Sequence, residues 1–251
     1  MLVLNEFAEE FDVKYSDMEC DLTLKPYALL NFLQDIASKN AEELGFGYSN
    51  LYKNNLAWFL IKYHMEFENY PIGKYDLKIK TEPRGFNKLF AYRDFDITSN
   101  GEILGRVTST WSIVDIDSRN LIPIAQVIEN NPYMVVHQKR DDDMNYIKIP
   151  QLSNVDAEKS FEVRYNDLDV NGHANNGNYI IWAFETLNFD FRKNNKIKIL
   201  DMMFKKEAVC GEVVTSQVEL LENNITLHRL INPAGEDLCL IRCQWQCLLN
   251  D

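Results

Sequence analysis

The stretch Arg164-Tyr-Asn-Asp-Leu-Asp-Val-Asn-Gly-His-Ala-Asn-Asn holds the densest set of chemically capable side chains in the chain. Asp169, Asn171 and His173 alternate, so extended backbone would point an acid, an amide and an imidazole to one side. An imidazole changes charge near neutral pH and can move protons. A helical pattern follows, and a helix N-terminus offers free N–H groups and partial positive charge. Such groups can hold an oxyanion on a carbonyl carbon. The competing reading is a hairpin turn at Asn171-Gly172 with His173 on a surface strand. The helical pattern downstream leaves no second strand to pair, which counts against it.

The elements around this stretch occur twice. Residues 11–17 read F-D-V-K-Y-S-D and residues 161–167 read F-E-V-R-Y-N-D. Leu29, Leu30, Leu33, Ile36, Ala37, Ala41 and Leu44 follow the first motif at helical spacing. Pro26 suits that helix's first turn and Gly45 its end. After the second motif the stripe is Tyr179, Trp182, Ala183 and Leu187, with Asn175 or Asn176 as cap. Strand-like runs then span roughly 56–68, 75–82, 88–98 and 102–115, and again 196–206, 212–221, 224–231 and 237–248. Each half therefore reads as strand, helix and four strands, a two-layer α+β unit. The expected division is a first repeat over 1–125, a connector over 126–159 and a second repeat over 160–251. The Asp141-Asp-Asp run in the connector is expected to be solvated. Since Glu19, Asp21 and Thr23 stand where the second copy has Asp169, Asn171 and His173, only the second repeat carries an imidazole at this place.

Composition narrows the function classes. The chain has 251 residues, 46% of them hydrophobic and 25% charged, as in ordinary globular proteins. A net charge of -12 disfavours general binding to nucleic acid or anionic membranes. After Met1-Leu-Val-Leu come Asn5 and Glu6, too short an apolar run for a secretory leader. No run approaches the roughly 20 residues of a membrane span. Five cysteines, an odd number, read as reduced and cytoplasmic. Cys239, Cys243 and Cys247 fall on a strand-like run, where four residues span about 13 Å, too far apart to share one metal ion. They read as buried thiols. No nucleophile elbow, phosphate loop or dinucleotide glycine pattern is present. No metal or cofactor is expected. His64, His137 and His228 stand alone and read as structural or surface residues.

The run D-L-D-V-N-G-H-A-N-N-G-N-Y-I-I-W-A-F-E-T-L resembles the signature of the acyl-acyl-carrier-protein thioesterases of plants and bacteria. It matches at Asp169, Asn171, His173, Asn175, Asn176, Tyr179, Ile180, Trp182 and Glu185. The first half is similar to the family's first unit at Trp58, Glu66, Tyr70-Pro71, Arg93-Asp94-Phe95 and Trp111-Ser112. The resemblance covers nearly the whole chain and implies a tandem double hot-dog fold. It also implies an acidic residue 34 positions after the histidine, which is Glu207 here. Without that spacing, Glu207 beside Lys205 and Lys206 would read as a surface carboxylate. Two positions depart from the plant pattern. Glu82 replaces a tryptophan, and Ala208 replaces a cysteine once proposed as nucleophile. Cys210 lies two residues off that place, so a cysteine-based route is not expected.

The implied activity is hydrolysis of a fatty acyl thioester on acyl carrier protein (ACP) by direct attack of water. Glu207 or His173 would take the proton, a role worth about 10²–10⁴ in rate. Asp169 would support the site and Asn171 would position water or carbonyl. Helix N-terminal amides near Asn175 and Asn176 would hold the oxyanion. Alternatives are an acyl-CoA thioesterase of the same fold and a non-catalytic acyl-thioester sensor, with a hydratase a weaker third. Lys193, Lys196, Lys198, Lys205 and Lys206 offer local cations for an acidic carrier protein. A homodimer is left open.

Overall fold

The computed structural model describes residues 7–73, 76–128, 131–133 and 135–248. The ends of the two expected repeats, 1–6 and 249–251, and the expected strand start at Tyr75 lie outside them.

Both repeats build the expected sequence of elements. The first runs β1 (Phe7–Asp12), α1 (Pro26–Glu43), α2 (Tyr48–Tyr52), β2 (Leu56–Phe67), β3 (Asp76–Phe86), β4 (Ala91–Ser99) and β5 (Glu102–Asp115). A short β6 (Leu121–Ile122) and α3 (Ile124–Ile128) follow. The second runs β7 (Ala157–Glu162), α4 (Asn176–Phe184), α5 (Phe189–Asn194), β8 (Asn195–Phe204), β9 (Val213–Leu221), β10 (Ile225–Ile231) and β11 (Asp237–Cys247). The strands form one sheet in the order β1-β3-β4-β5-β2-β8-β11-β10-β9-β7, with β6 on β5. The order in one half mirrors the other across the antiparallel β2–β8 seam, where His64 lies opposite Asp201.

Local chemistry sets the helix limits. Pro26 opens α1, where its missing N–H costs no hydrogen bond. Gly45 ends it with φ +78°, a left-handed conformation that a glycine adopts freely. Asn175 caps α4 by accepting the Gly177 N–H at 2.8 Å. The helix stops at Phe184, so Leu187 is buried from the following turn instead of the helix stripe. Strand β3 runs past the expected end at 82 because a bulge at Pro83–Gly85 absorbs the irregular residues, and β4 begins correspondingly later.

One apolar core spans both repeats. Leu29, Leu33 and Ile36 of α1 share it with Tyr63, Leu77, Ile79 and Phe95, and Tyr179 and Trp182 of α4 share it with Leu200, Met202 and Ile241. Each fully buried large side chain contributes about 1.5–3 kcal/mol. Cys239 and Cys243 belong to this core, as expected of strand thiols, whereas Cys247 at the end of β11 is only half-buried. The two helices approach closely: a Cβ on Gly177 would sit 2.7 Å from the Tyr27 ring.

The connector departs from expectation at its acidic run. Asp143 accepts from Arg84 at 2.6 Å and from the Arg140 N–H at 2.9 Å, and Arg140 pairs with Glu82 at 2.9 Å. Further on, Tyr146 bonds Thr110 at 2.7 Å and the Ile147 N–H donates to Asp201 at 3.2 Å. Part of the run is therefore an anchor: Arg84 is buried on the sheet and needs carboxylates beside it.

Candidate functional site

The stretch from Leu168 to Ala174 is a tight turn, not the extended strand its alternation suggests. Leu168 and Ala174 pair as a single antiparallel bridge. Inside it the Asp169 N–H donates to the His173 carbonyl at 2.7 Å, and the Gly172 N–H to the Asp169 carbonyl at 3.1 Å. Gly172 has φ +78°, which explains why Asn-Gly turns the chain here. The hairpin reading was thus right about the turn, yet only one bridge closes before α4 begins. The three side chains also part company. Asp169 Oδ1 accepts the N–H groups of Asn171 at 2.8 Å and His173 at 3.2 Å. Its carboxylate therefore braces the turn. Asn171 is exposed at the tip, and His173 leans inward, half-buried.

Glu207 reaches His173 because the β8–β9 loop is tied to the same turn. The Ala174 N–H donates to the Ala208 carbonyl at 2.9 Å, and His173 bridges Val209. The Ala208 N–H donates to the buried Tyr179 hydroxyl of α4 at 2.9 Å. These contacts set Glu207 Oε2 at 3.7 Å from His173 Nε2. Ala208 itself is fully buried, so the place of the proposed nucleophile holds an inert methyl. Cys210 is exposed.

A residue that sequence reasoning missed joins this pair. Arg119, in the turn between β5 and β6 of the first repeat, forms an ion pair with Glu207. Its Nη2 also lies 3.4 Å from His173 Nε2. Burial, and then the Arg119 charge, hold the imidazole below its ordinary pKa against the opposing pull of Asp169. Both effects favour the neutral imidazole, the form that can accept a proton. No motif marks a lone turn arginine, so spacing alone had no means of finding it.

The other expected residues divide. Asn175 spends its side chain on the α4 cap, and the Asn178 N–H goes to the Asn175 carbonyl at 2.9 Å. Asn176 Nδ2 contacts Gln34 of α1 at 3.3 Å. The five lysines do not gather into one free patch. Lys196 is buried and paired with Asp21, and Lys206 is paired with Glu236. His228 is fully buried, its pKa pushed down to about 3 by desolvation, and is structural. His64 is buried between Asp201 at 2.7 Å and Glu66 at 2.9 Å, at the seam of the two repeats.

Comparison with known proteins supplies the family. The acyl-ACP thioesterase N-terminal domain matches residues 4–131, and the acyl-ACP thioesterase C-terminal domain matches residues 151–247. The chain is 28% identical over 242 residues to the chloroplastic acyl-[acyl-carrier-protein] hydrolase FATB2 of Cuphea viscosissima, covering 92% of this chain and 56% of that one. It thus spans little more than half the length of that relative. Among solved structures, a putative oleoyl thioesterase from Lactobacillus plantarum superposes with TM-score 0.87 at 21% identity, covering 98% of both chains. The 12:0-ACP thioesterase of Umbellularia californica superposes with TM-score 0.83 at 22% identity, covering 96% of this chain and 97% of that one. The fold is the double hot-dog of these neighbours. With both family domains matched in order along nearly its whole length, the chain belongs to the acyl-ACP thioesterase family.

Proposed function

We propose that the protein hydrolyses fatty acyl-ACP to free fatty acid and carrier protein, with one site in the second repeat. The carrying observation is the convergence of His173, Glu207 and Arg119 in a member of this family. A thioester carbonyl is electrophilic and its thiolate leaves readily, so a positioned base and water suffice. Neutral His173 takes a proton as water attacks the carbonyl carbon, and Glu207 balances the imidazolium that forms. The tetrahedral oxyanion is held at the N-terminus of α4 by the Asn176 N–H, since the Gly177 and Asn178 N–H groups are spent on Asn175. Collapse expels the carrier thiolate, which recovers the proton from His173. Asp169 keeps the turn in shape, and Asn171 at its tip positions water or carbonyl. No covalent enzyme intermediate is involved, consistent with Ala208.

The first repeat, 1–125, shapes the acyl pocket in this reading. Support comes from an apolar cavity of about 80 Å³ between α1 and the sheet, room for the end of an acyl chain, where Ala37 and Ala41 face Trp58, Ala91 and Trp111. The connector, 126–159, straps the sheet, and 160–251 carries the chemistry. Five unpaired cysteines support a reducing compartment, and we propose the cytoplasm. The test is release of free thiol by the purified chain from acyl-ACP and from acyl-CoA, over a panel of chain lengths. Faster release from acyl-ACP supports the reading. Preference for acyl-CoA moves the substrate class, and release from neither leaves a binding protein.

A further inference from the structure

We infer that Arg119 of the first repeat is a positioning residue for the second repeat's site, fixing the Glu207 carboxylate and keeping His173 a neutral acceptor. The inference rests on the assignment of His173 and Glu207 proposed above, and adds a part to it. Three observations carry it.

The first is geometry. A guanidinium has donors only, so its approach at 3.4 Å favours the tautomer with an unprotonated Nε2. In that tautomer the Nε2 lone pair faces Arg119 beside Glu207. A cation and an anion held together beside an imidazole largely cancel there, where an unpaired Glu207 would draw a proton onto His173. The second is construction. Arg119 has φ +58°, an uncommon conformation for a residue that is not glycine, asparagine or aspartate. The turn is tied down to present it. Asp115 Oδ1 accepts from the Ser118 N–H at 2.7 Å and its hydroxyl at 2.8 Å, and the Arg119 N–H donates to the Asp115 carbonyl at 2.9 Å. Asn55 donates to Asp117 at 2.9 Å, closing the turn from the start of β2. The third is the charge inventory. Among the described residues, the charged groups facing His173 are Asp169 from its own turn, Glu207 from the β8–β9 loop and Arg119 from the opposite repeat. Arg119 is the cation among them, and it acts with burial to hold the imidazole neutral. The site is thus composite: the first repeat, which lacks the imidazole, supplies the charge that tunes it.

The experiment compares wild type with Arg119→Gln and Arg119→Lys, reading kcat, KM and the pH dependence of kcat/KM on acyl-ACP, with an NMR titration of the His173 ring. His173 must be neutral to act, so activity falls as pH drops through its pKa. Loss of the cation raises that pKa, so the acid limb and the NMR midpoint of Arg119→Gln should both move up by about half a unit or more. Its kcat should drop about 10- to 100-fold at little cost in KM, as for a misplaced catalytic geometry. Arg119→Lys should restore the pH limb but only part of kcat, since an ammonium lacks the planar fork. A folded Arg119→Gln protein with an unmoved limb and midpoint overturns the inference, as does a change in KM alone. His173→Ala and Glu207→Gln run alongside separate the two levels. If both remain active, the site assignment itself fails. If both are inactive while the Arg119 variants behave as wild type, only the role of Arg119 fails.

Discussion

The turns at 18–24 and 168–174 share a backbone almost bond for bond and differ in what surrounds them. Met18 bridges Leu24 as Leu168 bridges Ala174. The Glu19 N–H donates to the Thr23 carbonyl at 2.7 Å, as Asp169 does to His173, and Leu22 takes the left-handed place of Gly172 at φ +65°. Thr23 bridges Ile72 where His173 bridges Val209. That correspondence sets Tyr70, two residues before Ile72, in the position of Glu207. Tyr70 is buried and donates its hydroxyl to the Leu24 carbonyl at 3.0 Å, so no acid faces Thr23 from there. The remaining acids are locked: Glu19 accepts from Arg192 at 2.6 Å, and Asp21 pairs with Lys196. A cavity of about 390 Å³ persists beside them. The first turn is thus a strut between repeats, while the second brings an imidazole and a carboxylate together. Backbone shape alone does not make the site. The side chains delivered to it from other elements do.

The comparison breaks most readily at Glu207. Glu207→Ala should lower kcat about 10²–10⁴-fold, the worth of a positioned proton-transfer partner. Initial-rate assays on folded protein decide it, and a rate near wild type would leave the two repeats without a functional difference at this position. Tyr179→Phe should act more weakly. It removes the acceptor of the Ala208 N–H, a bond worth about 0.5–1.5 kcal/mol, and loosens the loop carrying Glu207. Thermal melts should show that loss, with kcat reduced by about threefold to tenfold.

Smaller effects sharpen the contrast. Thr23→His should create no second activity, because Tyr70 stands where a carboxylate is needed and Arg192 and Lys196 hold Glu19 and Asp21. It can be measured in a His173→Ala background, where any recovered turnover would contradict the claim that the surroundings decide. Replacing all five cysteines by serine or alanine should leave most of kcat in a folded protein. Ala208 lies at the proposed nucleophile's place and the thiols lie elsewhere. Loss of activity in Cys210→Ser alone would revive a covalent route.

Much of this architecture was legible in the sequence, for reasons that can be named. The strands show themselves because their burial alternates: β4 has Ala91, Arg93, Phe95 and Ile97 inward with half-exposed residues between. The helix limits were written in Pro26, Gly45 and Asn175, whose backbone and capping preferences are local. The turn at 168–174 was misread because alternation of polar residues implies one-sidedness only in extended backbone, and Gly172 breaks it. Asp143 was misread because its partner Arg84 lies 59 residues away, and Arg119 was missed because His173 lies 54 residues away. Such contacts depend on how sheet and connector come together, which no local pattern encodes.

The central claim is that the second repeat alone does the chemistry, through His173. Thr23 stands at the equivalent place in the first repeat and cannot take up a proton near neutral pH as an imidazole can. The most direct measurement is thiol release from acyl-ACP by folded His173→Ala and Thr23→Ala proteins, side by side with wild type. His173→Ala should lose about 10²–10⁴ in kcat, while Thr23→Ala stays within about threefold. A normally folded His173→Ala protein that still turns over within about threefold of wild type would contradict the assignment, and with it the division of labour between the repeats.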